Sequence, residues 1–216
     1  MTLLEAVNKV LIKLREREVS STSASEYSKL VTQLVNETRR EVEDAWNWIT
    51  LRNTVTLTTE ADVSQYVLTG VGNSRFKLLG VVNDTTNVDL TNANSNALTA
   101  MFLTGSTATH EPQFFGFNGF DDNDNPIVDL YPVPDAAYDI RFNMVLPQND
   151  TTVGGTRIQV PGYIVVLGTY AKALAERGED ASSSYEVAMG QYTGALSAAI
   201  AQEASLMPGE TDFYAL

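Results

Sequence analysis

The chain has 216 residues, with 44% apolar and 19% charged content, which suits one globular domain carrying an insertion or two small domains. It contains no cysteine, so disulfides, thiolate metal sites and cysteine nucleophiles are excluded. Its net charge of −13 lies in the middle and the end: Lys/Arg against Asp/Glu run eight to eight in residues 1–52, four to twelve in 53–157 and two to seven in 158–216, a balance that repels phosphate and disfavours groove-reading DNA binding.

The opening MTLLEAVNKV carries an acid and lacks a basic segment followed by an unbroken apolar run, so no secretory signal is expected there. Leu3, Leu4, Val7, Val10, Leu11 and Leu14 recur at three- and four-residue steps and predict an amphipathic helix. Ser20 to Ser23 break it, and the Ser23/Glu26 spacing predicts a capping box opening a second helix. Tyr27, Leu30, Val31, Leu34, Val35, Thr38, Val42, Ala45 and Trp46 give that helix its stripe. Arg39 and Arg40, interleaved with Glu37, Glu41, Glu43 and Asp44, read as surface ion pairs rather than a nucleic-acid patch.

From Asn53 the period shortens to two, and Val55, Leu57 and Thr59 alternate as in a strand. Residues 65–68 and 75–82 read as two further strands joined by a turn at Gly70 and Gly72. Residues 84–96 have a loop composition, and Phe114, Phe115, Phe117 and Phe120 crowd the segment 112–120. After a turn at 121–125, residues 127–131 and 138–144 read as a hairpin whose prolines mark the turn. Pro161 is placed at the first position of a third helix that stops at Gly178. A fourth helix, alanine-rich and with small residues at Gly190, Gly194 and Ala198, runs to Leu206, before a short aromatic tail. Nothing in the C-terminal part is long and apolar enough to span a bilayer.

The expected fold is therefore α+β: an antiparallel helical bundle from residues 1–52 and 158–207, an inserted antiparallel β domain at 53–157, and a tail at 208–216. No catalytic, cofactor or metal site is expected. Asp121, Asn123 and Asn125 have the alternate spacing of a calcium loop, but Pro126 and Pro132 stand where glycine and glutamate are needed. His110, the one histidine, has no nucleophile-elbow serine to partner it. Gly70 and Gly72 lack the third glycine of a dinucleotide loop.

Taken in order, a first helix 3–11, a second helix closing on 39–48 and leading straight into a strand, the segments 110–115 and 127–138, and the pair of C-terminal helices resemble the tail tubular protein A family, head-to-tail adaptors of short-tailed bacteriophages. The resemblance implies a non-enzymatic virion protein at the head–tail junction. It would form a ring of twelve copies below the portal protein and above the tail nozzle, with tail fibres as further partners and a channel through which DNA passes without sequence-specific binding. It implies contacts through Phe213, Tyr214 and Leu216 in the tail. The small-residue face of the fourth helix, with Gly194 and Ala198, is assigned to tight bundle or intersubunit packing. Trp46 and Trp48 are expected to anchor bundle to sheet. The alternative reading is a phage tail protein that degrades or binds polysaccharide, with the phenylalanine run supplying stacking faces.

Overall fold

The computed structural model describes residues 1–104, 109–179 and 183–207. Among them are five α-helices and eight strands: α1 (Leu3–Lys13), α2 (Glu26–Ala45), β1 (Arg52–Thr58), β2 (Gln65–Val67), β3 (Lys77–Asn83), β4 (Val88–Asp89), β5 (Thr91–Asn92), α3 (Ser95–Thr104), β6 (Phe114–Phe120), β7 (Pro126–Tyr131), β8 (Asp139–Val145), α4 (Gly162–Leu174) and α5 (Ser183–Ser205). The fold is α+β. It divides into two compact units, one of residues 1–51 with 148–216 and one of residues 52–147.

In the helical unit α1 starts at Thr2, whose hydroxyl accepts the Glu5 amide while the Glu5 carboxylate accepts the Thr2 amide. This reciprocal cap satisfies two amides that a helix start leaves without partners. The cap of α2 is Ser25 with Ser28, not the expected Ser23 with Glu26. Both pairs have the three-residue spacing, and the Ser25/Ser28 pair leaves Glu26 in the first turn, where the helix dipole favours it. Asn8 pins the connection between the helices, donating to the Val19 carbonyl at 3.0 Å and accepting its amide at 2.9 Å.

Helix α4 is apolar on nearly every side, burying Ile164, Val165, Val166, Ala171, Ala173 and Leu174, as a helix enclosed by neighbours must be. It packs against α1, α2 and α5. Pro161 is its N-cap rather than its first residue. After Leu174 the chain widens into a π turn at Ala175–Glu179, and Gly178 takes a φ of +79°, open to glycine at little cost.

The segment 148–157, which sequence assigned to the insertion, counts with the helical unit. Its carbonyls explain why: Leu3 and Leu4 donate to Thr156 and Gly154, Thr22 Oγ1 to Thr152, and Asn36 Nδ2 to Thr151, at 2.6–2.9 Å.

The other unit is a sandwich of two four-stranded sheets, ordered β1-β8-β3-β4 and β2-β7-β6-β5. Its core draws Val81, Ile140, Phe142 and Met144 from one sheet and Phe115, Val128 and Leu130 from the other, with Phe115 edge-on to Phe142 at 5.9 Å between ring centroids. Three expectations are corrected here. The segments 127–131 and 138–144 do not form a hairpin, because β7 and β8 lie in different sheets. Their prolines mark a crossing, tied by bonds to the Val133, Pro134 and Ala136 carbonyls from His110, Asp62 and Thr59. In the same way β2 and β3 fall in different sheets despite the glycine turn between them. Finally, the sheets are not wholly antiparallel, since β5 runs parallel to β6. Residues 127–131 instead form a hairpin with β6, around the 121–125 turn. Helix α3, unforeseen in an Asn- and Thr-rich stretch, seats Leu98 against Gly116, where a Cβ would lie 2.4 Å from the leucine.

Candidate functional site

The polar residues that invite a chemical reading are occupied by local backbone work. Asp121 Oδ1 accepts the amides of Asn123 and Asn125 at 2.8 Å, and its Oδ2 accepts Asn125 Nδ2 at 3.1 Å. The Asn125 side-chain bond, then the Asn125 amide, hold this carboxyl below the usual carboxylate range. The Asn125 side chain in turn accepts the Gly72 amide at 3.0 Å, so the run closes a hairpin and a neighbouring loop. Among the described residues no three histidine or carboxylate side chains gather as metal ligands. His110 Nδ1 accepts the Glu111 amide at 2.7 Å. The phenylalanines form ring clusters: Phe115 and Phe117 meet edge-on at 5.9 Å, and Phe76 lies against Phe117 and Phe120 at 5.3 and 6.3 Å.

Arg39 departs from its expected place at the surface. It is 1% exposed, as is Glu43 one turn on. Its Nη2 donates to the Gln148 and Asn149 carbonyls at 3.2 and 3.1 Å and to Asp150 Oδ1 at 3.1 Å, while Glu43 Oε1 lies 3.4 Å from its Nε. Arg40 reaches the same Asp150 from the exposed side. A buried guanidinium survives where carbonyls and carboxylates surround it. Here they belong to the returning chain, so Arg39 fastens α2 to the segment after β8. Trp48 is buried, and its Nε1 donates to the Val42 carbonyl at 2.6 Å. Trp46 caps the C-terminus of α2 in extended conformation and is half-buried.

Helix α5 buries only Ala188, Tyr192 and Ala199. Tyr192 touches the close approach at Gly168, where an added Cβ would stand 2.6 Å from Thr38 Cγ2 and 2.8 Å from Tyr192 Cε2. Burial first, then the charge and hydrogen bond of Glu41, push the Tyr192 phenol up to about 12. Gly194 and Ala198, marked for tight packing, are exposed, and a Cβ on Gly194 would meet nothing within 4 Å. The glycine that lets helices close within this unit is Gly168, which sequence did not single out. Its signal was a small residue inside an otherwise bulky apolar run, 164–171. Between α4 and α5 lies an open cleft of about 400 Å³ lined, among the described residues, by Tyr170, Ser183, Ser184, Val187, Ala188 and Gln191, none of them a carboxylate, histidine or lysine. Phe213, Tyr214 and Leu216 lie outside the described residues.

The family model described as SU10 adaptor protein matches residues 1–211 and so runs through both compact units. No curated protein matches the sequence.

Proposed function

The chain belongs to the SU10 adaptor protein family, and on that premise we propose that it is a structural protein of the bacteriophage head–tail junction, meeting the portal protein on one side and tail components on the other. The observation that carries this reading is the extent of the match, residues 1–211, which takes in the helical and the β unit alike. The reading is non-enzymatic. Asp121 and His110, the side chains that spacing and rarity single out, each accept neighbouring backbone amides.

In finer detail, copies assemble as a closed ring, twelve in the manner of tail tubular protein A. A ring needs two different surfaces on each subunit, one to meet each neighbour. The exposed small-residue side of α5, with Gly194 and Ala198, supplies one of them, since absent side chains let a neighbouring backbone approach. Phe213, Tyr214 and Leu216 reach the portal or a neighbour. The β unit, with eleven Asp/Glu against four Lys/Arg in residues 52–147, meets nozzle or fibres. Where its acids border the channel they repel passing DNA within a Debye length of about 8 Å, so the genome slides without being gripped.

Capsids that carry portal but no tail provide the test. The purified chain is expected to co-sediment with them and to ignore capsids lacking portal. Equal behaviour toward the two would defeat the adaptor reading.

A further inference from the structure

The sandwich protects three of its four sheet edges by brevity: β4 and β5 have two residues each and β2 has three. The fourth edge, β1, has seven residues and, among the described residues, pairs only with β8. It carries none of the usual edge protection, because Asn53 to Thr58 holds no proline, lysine or other charge.

The direction of its free backbone groups follows from its neighbours. The Thr59 amide donates to the Tyr138 carbonyl, and the Asp84 amide donates to the Asp139 carbonyl on the opposite side of the same strand. Tyr138, just before β8, and the even-numbered residues 140–144 therefore bond toward β1, and with the observed register the partners of residues 140–144 are the odd-numbered residues of β1. Thr54, Thr56 and Thr58 turn their amides and carbonyls outward. The Thr54 amide, donating to Asn53 Oδ1 at 2.8 Å instead of to a strand, agrees with this. All three threonines are exposed, while Val55 and Leu57 pack, half-buried, on the sandwich core.

The sequence along this edge, Arg52-Asn-Thr-Val-Thr-Leu-Thr-Thr-Glu60, is close to a chemical palindrome about Thr56. We propose that the outer edge of β1 pairs antiparallel with β1 of a second copy of this chain, on a two-fold axis at Thr56. Thr54 then lies opposite Thr58 of the other copy, Val55 opposite Leu57, and Arg52 opposite Glu60, each twice. Outward-bonding residues face outward-bonding residues, as hydrogen-bonded antiparallel pairs require. Threonine pairs and the aliphatic pair are favourable cross-strand neighbours. A slip of one residue would set outward groups against inward ones. The result joins two four-stranded sheets into one of eight strands, within the range of open sheets. An isologous contact of this kind closes on itself, unlike the heterologous contacts of a ring. It concerns the free chain and stands or falls apart from the adaptor reading.

The absence of native cysteine makes the test direct. In the full chain, Thr56→Cys places the two thiols across the axis at a spacing that a disulfide spans. Mild oxidation is expected to double the 23.6 kDa mass nearly completely under denaturing, non-reducing conditions, while Asp122→Cys, on the exposed hairpin turn, gains no covalent crosslink. Without oxidation, Thr56→Pro is expected to abolish the dimer in light scattering yet keep the circular dichroism of the parent, since an edge strand tolerates proline where its amide faces solvent. A parent chain that is monomeric at every concentration, with the Thr56→Cys variant oxidising no faster than the Asp122→Cys variant, overturns the proposal. So does a dimer that Thr56→Pro leaves intact.

Discussion

Arg39 shows how a charged residue inside a helical stripe should be read. It follows Val35 by four positions and precedes Val42 by three, so it lies on the buried side of α2, as does Glu43. Glu37, Glu41 and Asp44 fall on the exposed side. Read as a run, these charges look like a solvated surface; read by helical phase, two of them separate from the rest. What sequence alone did not contain was the partner, since residues 148–150 lie more than a hundred positions away. Arg39→Ala is expected to cost about 3–5 kcal/mol in urea unfolding, because it removes the cation beside the buried Glu43 carboxylate and the donor to the Gln148 and Asn149 carbonyls. Arg40→Ala, whose pair is half-exposed, is expected to cost less than about 1 kcal/mol. Tyr192 gives a pH signature. Its phenol titrates higher in the folded chain, at about 12, than in the unfolded chain, at about 10. The unfolded state then loses its proton first, and stability falls as pH rises through that window. Comparing thermal unfolding of the parent and Tyr192→Phe from pH 9 to 12 isolates this term, and the Phe variant is expected to decline less steeply.

The elements themselves were legible where their period was strong. The helical stripes of α1 and α2 and the alternation in β1 and β8 follow from spacing, because one face of each is buried in its unit. Pairing was not legible. Tyr131 and Asp139 are linked by a short proline-bearing segment that in isolation suits a hairpin turn, and only the sandwich decides that it crosses between sheets. Helix α3 escaped notice because its support is a glycine, Gly116, on a strand that follows it. For α5, alanine and glycine gave small size but not its destination. The contrast between Gly168 and Gly194 now separates the two possibilities. Gly168→Ala is expected to destabilise the free chain by about 1–3 kcal/mol through overpacking against Thr38 and Tyr192. Gly194→Leu with Ala198→Leu is expected to leave the unfolding midpoint of the free chain within error and to abolish ring formation at the portal. Unchanged rings would remove α5 from the subunit interface.

At the scale of the molecule, the two ends of the chain build one unit and its middle builds the other. The match to the SU10 adaptor protein family spans both. The insertion's lower boundary followed from the change of period after Arg52, whereas its upper boundary had no such mark. Residues 148–157 form no regular element, and their allegiance is written in hydrogen bonds from α1 and α2. We propose that this chain closes a ring on the phage portal, and cryo-electron microscopy of the chain bound to isolated portal would show it. A single closed ring of copies is expected, coaxial with the portal channel and with α5 at the contacts between neighbours. Isolated copies scattered on the portal, or a portal left bare at saturating concentration, would contradict it.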